Sequence, residues 1–219
     1  MSGRRRAKVA IDVAMAAVLA AVMATALVQE VPHERLGVAL FVLMVAHAIL
    51  NRRWLASVFR GRYGVVRVLQ VVVLVGLSAC VLGQVASSLV LSKHAFGWLP
   101  SLPGASWARR MHMLCSYWSF VLAFAHAGLH VRMPRHLSAG RLWAIRAVLF
   151  AIACYGAYSF VRLGMLPYLA GQMLFAAADF GAPMALALAR YASVGVLVAC
   201  LAHCVRMASE ATARRGRQP

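Results

Sequence analysis

The chain has 219 residues, of which 63% are hydrophobic and only 13% charged, too apolar for a soluble domain of this length. Its formal net charge is +18, but the basic residues stand in short clusters between apolar runs without interleaved aromatics. That pattern speaks against a nucleic-acid footprint and for membrane topology signals, so the expected class is all-α, an integral membrane bundle.

The opening MSGRRRAK leads into an apolar run at 9–29. At 1.5 Å per residue, about twenty residues cross about 30 Å of hydrocarbon. No small-x-small cleavage site precedes QEVPHER, so the run reads as a retained first helix and not as a secretory leader. The second span, 34–53, contains HERLGVALFVLMVAH (33–47), with a histidine at each end and no charge between Leu36 and Val45. A third span covers 65–91, and a fourth, 107–130, contains HMLCSYWSFVLAFAH (112–126), with two histidines at the same separation. The fifth and sixth spans are expected at 142–162 and 184–205. Between them Pro167, Gly171, Gly181 and Pro183 break the chain into an extracytoplasmic loop with a short interfacial helix. About six transmembrane helices result.

The N-terminus, the 51–67 and 131–146 loops and the basic tail 206–219 hold 17 of the 23 basic residues. Those segments, and both termini, are therefore expected on the cytoplasmic side. Trp54, Trp98, Trp107 and Trp143 fall near span ends, where aromatic belts lie. The five cysteines all lie in apolar runs and read as packing residues. No Cys-x-x-Cys-His occurs, so covalent haem attachment is not expected.

The chain forms one domain (1–219) with an internal repeat of helix pairs, about 9–53 and 65–132. FVLMVAHAILNRR (41–53) aligns without gaps to FVLAFAHAGLHVR (120–132) at eight identities in thirteen, and the same alignment superposes His33 on His112. One helix intervenes, so the second and fourth spans run in the same direction. His33 should meet His112 at one depth and His47 should meet His126 at another.

Imidazoles at hydrocarbon depth are functional candidates by default. Fourteen residues give about 21 Å of rise and a rotation about 40° short of whole turns, so both histidines of each helix project from nearly one face. One ion cannot bridge that distance, but two sites can, each lined by one histidine from each helix. Zinc or copper usually wants three or four ligands at one depth, and each pair supplies two. Haem iron takes four ligands from the porphyrin and needs only two axial imidazoles. Two non-covalent haem b groups are therefore expected, an outer one on His33 and His112 and an inner one on His47 and His126.

His130 lies one turn beyond His126 on the same side. It is the alternative inner ligand, or a contact for a propionate or a quinone, whereas the repeat favours His126. His203 reads as a packing residue or a contact behind the ligands, and His94 and His136 as solvated loop residues. Arg35, Arg109 and Arg110 flank the outer site, and Arg52, Arg53 and Arg132 the inner one. Arg109 and Arg110 are the more informative, because topology disfavours positive charge where they stand, and anionic propionates would draw guanidinium groups there.

The ligand spacing resembles the di-haem core of cytochrome b subunits of quinol-oxidising complexes, without their P-E-W-Y tetrapeptide or additional helices, and without glycines in the first helix. Over most of 9–206, the runs HERLGVALFVLMVAHAILNRRW and RRMHMLCSYWSFVLAFAHAGLH resemble the flavinylation-associated cytochromes of bacterial membranes. That resemblance implies a multi-pass b-type cytochrome of the bacterial cytoplasmic membrane. It implies electron transfer between a membrane or cytoplasmic pool and an extracytoplasmic flavoprotein or other redox partner, with His33, His47, His112 and His126 as ligands. The chain would be an electron-transfer subunit, the alternative being a quinone-reactive anchor of a larger oxidoreductase. A proton or metal transporter is disfavoured, since the acids Asp12, Glu30, Glu34, Asp179 and Glu210 read as lying near span ends or in loops.

Overall fold

The computed structural model describes residues 3–25, 29–58, 60, 63–100, 102–131, 137–176 and 182–215. Among these the regular elements are helices and no strand occurs. Six are long: α1 (Gly3–Thr25), α2 (Glu30–Leu50), α4 (Val65–Leu91), α5 (Ala105–His130), α6 (Ala139–Arg162) and α8 (Met184–Arg215). Two are short, α3 (Arg52–Ser57) and α7 (Met165–Leu169).

Five of the long helices, all but α5, are long and apolar enough to cross a membrane by length and composition. At 26 residues α5 has the length, but it carries Arg109, Arg110, His112, His126 and His130, and their polarity lowers its mean hydropathy. The same helix is the most deeply packed, with Ala108, Cys115, Tyr117, Phe120, Gly128 and Leu129 buried. Outward faces are apolar, as at Val65, Val68, Val72 and Val75 of α4 and Trp143, Phe150 and Val161 of α6. Large apolar surfaces of this kind belong in hydrocarbon, not water.

The core joins Met23 and Ala24 of α1, Tyr117 and Phe120 of α5, Met165 and Tyr168 of α7, and Tyr191 and Val194 of α8. Tyr117 and Tyr168 stack at 4.1 Å between ring centres. The short helix α7 is therefore folded in against the bundle, with Met165 at 0% exposure and Leu166 at 67%. A pair of glycines sets how closely α8 is approached: a Cβ on Gly128 of α5 would run into the Ala199 backbone, and one on Gly156 of α6 into the Ser193 backbone. Without hydrophobic drive between helices in lipid, such close backbone contact is a main source of association.

The expected cytoplasmic tail begins inside a helix, since α8 continues to Arg215. Arg206 is only 7% exposed and donates to the carbonyls of Leu129 and Val131 at 3.2 and 3.0 Å. Those carbonyls at the end of α5 have no partner within their own helix, and a guanidinium satisfies them. All five cysteines are free thiols.

Candidate functional site

Helix α2 is placed unlike the others. Among the described residues its Cα atoms come within 8 Å of α1 and α3 only, and not of α4 or α5. It has no buried residue. Side chains hold it across the gap to the segment after α4 at one end and to α1 at the other. At its N-terminal end the Glu34 carboxylate accepts from Ser92 Oγ (2.7 Å) and from the backbone N–H groups of Lys93, His94 and Ala95 (3.0, 3.0 and 2.6 Å). Glu30 pairs with Lys93 at 2.9 Å and lies 3.7 Å from Nε2 of His94, an exposed loop residue. At its C-terminal end Lys8 Nζ of α1 donates to Asn51 Oδ1 at 2.6 Å.

The histidines face one another across this gap. The His33 and His112 ring centres are 6.1 Å apart, and those of His47 and His126 are 6.5 Å apart. A metal bonded to two imidazole nitrogens at about 2 Å each would put the ring centres roughly 6.3 Å apart. Gly37 lies one turn beyond His33 on α2, and a Cβ there would meet nothing within 4 Å, so the space beside the outer pair is open. Among the described residues no group of three or more His, Cys, Asp or Glu could hold a metal ion. Each pair therefore offers two donors, the number that haem iron takes from protein.

The second ring nitrogens have distinct partners. His33 Nδ1 donates to the Val22 carbonyl at 3.2 Å, and His47 Nδ1 donates to Asp12 Oδ1 at 2.7 Å. Both bonds put the lone pair on Nε2, and in His47 the Asn51 amide nitrogen lies 3.4 Å from that atom. His112 Nδ1 lies 3.4 Å from each of the Ser87 and Ser88 hydroxyls, while the Gln84 amide nitrogen sits 3.2 and 3.1 Å from its two ring nitrogens. His126 Nδ1 is buried without a hydrogen-bond partner, a condition that costs about 1–3 kcal/mol. The donor set, the spacing of the helices and the ring separations fit a planar macrocycle between α2 and α5.

His130 is exposed. Its ring lies 4.4 Å from that of His126 and 5.1 Å from Trp54, and its Nδ1 donates to the His126 carbonyl at 2.9 Å. It borders a cleft with Val66, Arg67, Gln70 and Arg206. Arg109 and Arg110 are exposed, and the Arg109 guanidinium lies over the Phe175 ring at 5.3 Å. His203 Nδ1 is buried without a hydrogen-bond partner. Arg132 and His136 lie outside the described residues.

Sequence reasoning missed Asp12 and Gln84. Asp12 reads as lying near a span end, but α1 begins at Gly3, so Asp12 is its tenth residue and stands within the helix. Its isolation in an apolar run was the available signal. Comparisons with models of known protein families, with curated proteins and with solved structures return no match.

Proposed function

We infer that the chain is a di-haem b-type cytochrome that carries electrons across a bilayer. The observation that carries this reading is the pair of facing histidine couples, at 6.1 and 6.5 Å between ring centres, on two helices whose backbones stand apart. His33 and His112 would hold the outer haem, and His47 and His126 the inner one. The haems supply reversible one-electron chemistry, and the protein supplies axial nitrogens, fixed ring orientation and an apolar surround. In this reading α5 is a sixth span, both termini are cytoplasmic, lipid covers the outward faces, and Arg109 and Arg110 offer charge to the outer propionates. The resemblance to flavinylation-associated cytochromes supports a bacterial cytoplasmic membrane and an extracytoplasmic flavoprotein or other redox partner.

The test is a pyridine haemochrome titration of purified protein with a dithionite-reduced minus oxidised spectrum. Two b haems per chain are expected. A ratio near zero overturns the cytochrome reading, and a ratio near one removes one of the two sites. A second reading, the quinone-reactive anchor of a larger oxidoreductase, draws support from the cleft of Arg67, Gln70, His130 and Arg206 beside the inner pair. Reduction of the haems by a short-chain quinol, lost on blocking that cleft, would favour it.

A further inference from the structure

The four paired histidines differ in what meets their second nitrogen. Three meet no charged hydrogen-bond partner there: the Val22 carbonyl for His33, serine hydroxyls and an amide for His112, and no hydrogen-bond partner for His126. His47 alone meets a carboxylate, Asp12 Oδ1 at 2.7 Å. Asp12 comes from α1, the helix against which α2 packs. The neighbouring polar groups hold the arrangement: Asn51 Nδ2 donates to the His47 carbonyl at 3.0 Å, and Lys8 donates to Asn51. A carboxylate within a span is costly unless it is paired, so its placement against one ligand of four calls for a chemical reason.

Donating Nδ1–H to a carboxylate gives an imidazole partial imidazolate character and makes Nε2 a stronger donor. A stronger donor favours the ferric over the ferrous state of the iron it binds and lowers its potential. At the outer site the nearby charges are of both signs, since Arg109 and Arg110 stand three and two residues before His112 on α5 while Glu34 adjoins His33 on α2, so the contrast between the sites rests on the hydrogen bond from His47 to Asp12.

The geometry points to Asp12 as a positioning residue that acts through His47 to make the inner site the lower in potential of the two. Electrons are then driven from the cytoplasmic to the outer side. A haem held by His47 and His126 would be oxidised from ferrous to ferric as one held by His33 and His112 was reduced, one electron passing with no bond made or broken. This rests on the di-haem reading and adds a direction to it.

The experiment is an optically monitored redox titration of the purified, haem-loaded protein, with the inner component identified as the one lost in His47→Ala. In the unsubstituted protein that component should be the lower. Asp12→Asn keeps the size and removes the charge, and should raise the inner potential while leaving the outer one in place. Asp12→Glu should keep it low. An inner component that is the higher of the two, or an Asp12→Asn protein in which neither or both potentials move, overturns the inference.

Should Asp12→Asn lose the inner haem, low-temperature electron paramagnetic resonance of the unsubstituted protein decides. The signal lost in His47→Ala should have the narrower spread of g values, as imidazolate character requires, and equal spreads overturn the inference. Absence of haem from the unsubstituted protein sinks the inference with the reading it rests on. Two haems with an unmoved inner potential sink the inference alone.

Discussion

His126 and His130 are separated by one helical turn, yet their surroundings differ sharply. His126 points its ring at His47 and leaves Nδ1 buried without a hydrogen-bond partner. His130 is exposed and spends its Nδ1–H on a carbonyl of its own helix. Pairing His47 with His130 would displace one ligand by about 6 Å along the axis, at 1.5 Å for each of four residues. Sliding the helices to compensate would break the outer pair. His126→Ala is therefore expected to remove the inner haem and keep the outer one, while His130→Ala keeps both. Low-temperature electron paramagnetic resonance reads this directly: loss of a low-spin ferric signal in the His130 variant, with both retained in the His126 variant, reverses the assignment. The pairing by depth was legible because the repeat carries its register along with its residues. Asp12 and Gln84 were not legible as partners, because neither shares a motif with the histidine it meets.

At the scale of elements, α2 and α5 differ in what limits their distance from neighbours. Gly128 of α5 lies against the backbone of α8, with no room for a methyl group. Gly37 of α2 faces open space. Gly128→Val should therefore destabilise the whole bundle by about 1–3 kcal/mol or more through overpacking, seen as a lower denaturation midpoint in detergent. Gly37→Leu should leave that midpoint of the haem-free protein nearly unchanged and lower outer-haem occupancy, because the new side chain enters the space beside His33. Equal midpoints for the two variants, or full outer occupancy in Gly37→Leu, would show that the gap is not where a macrocycle sits. Glycine counts in the sequence mark both positions alike. Only the packing separates a contact glycine from one beside a gap.

For the whole molecule, the clustering of basic residues predicts sidedness. A fluorescent reporter fused after Pro219 should fluoresce inside the cell, and alkaline phosphatase fused within the 170–176 stretch should be active outside. The reverse pattern would invert the labels inner and outer, and with them the direction of electron flow argued for Asp12. The apolar faces of α4 and α6 and the buried α5 describe a bundle organised about α5 and α8, with α2 as an outrigger held by Glu34 and Asn51.

Apolar run length and charge clustering suffice, by themselves, for an all-helical chain with long apolar spans, because in lipid every backbone group must bond within its own segment. The repeat suffices for the depth at which the histidines pair, because rise per residue is constant along a helix. The tertiary structure decides the rest. Arg206 caps the end of α5, Met165 and Tyr168 of α7 join the core, and Asp12 becomes the partner of His47. Each of these is a contact between segments far apart in the chain, and which side chains meet there depends on helix rotation and offset, which no periodicity within one segment specifies.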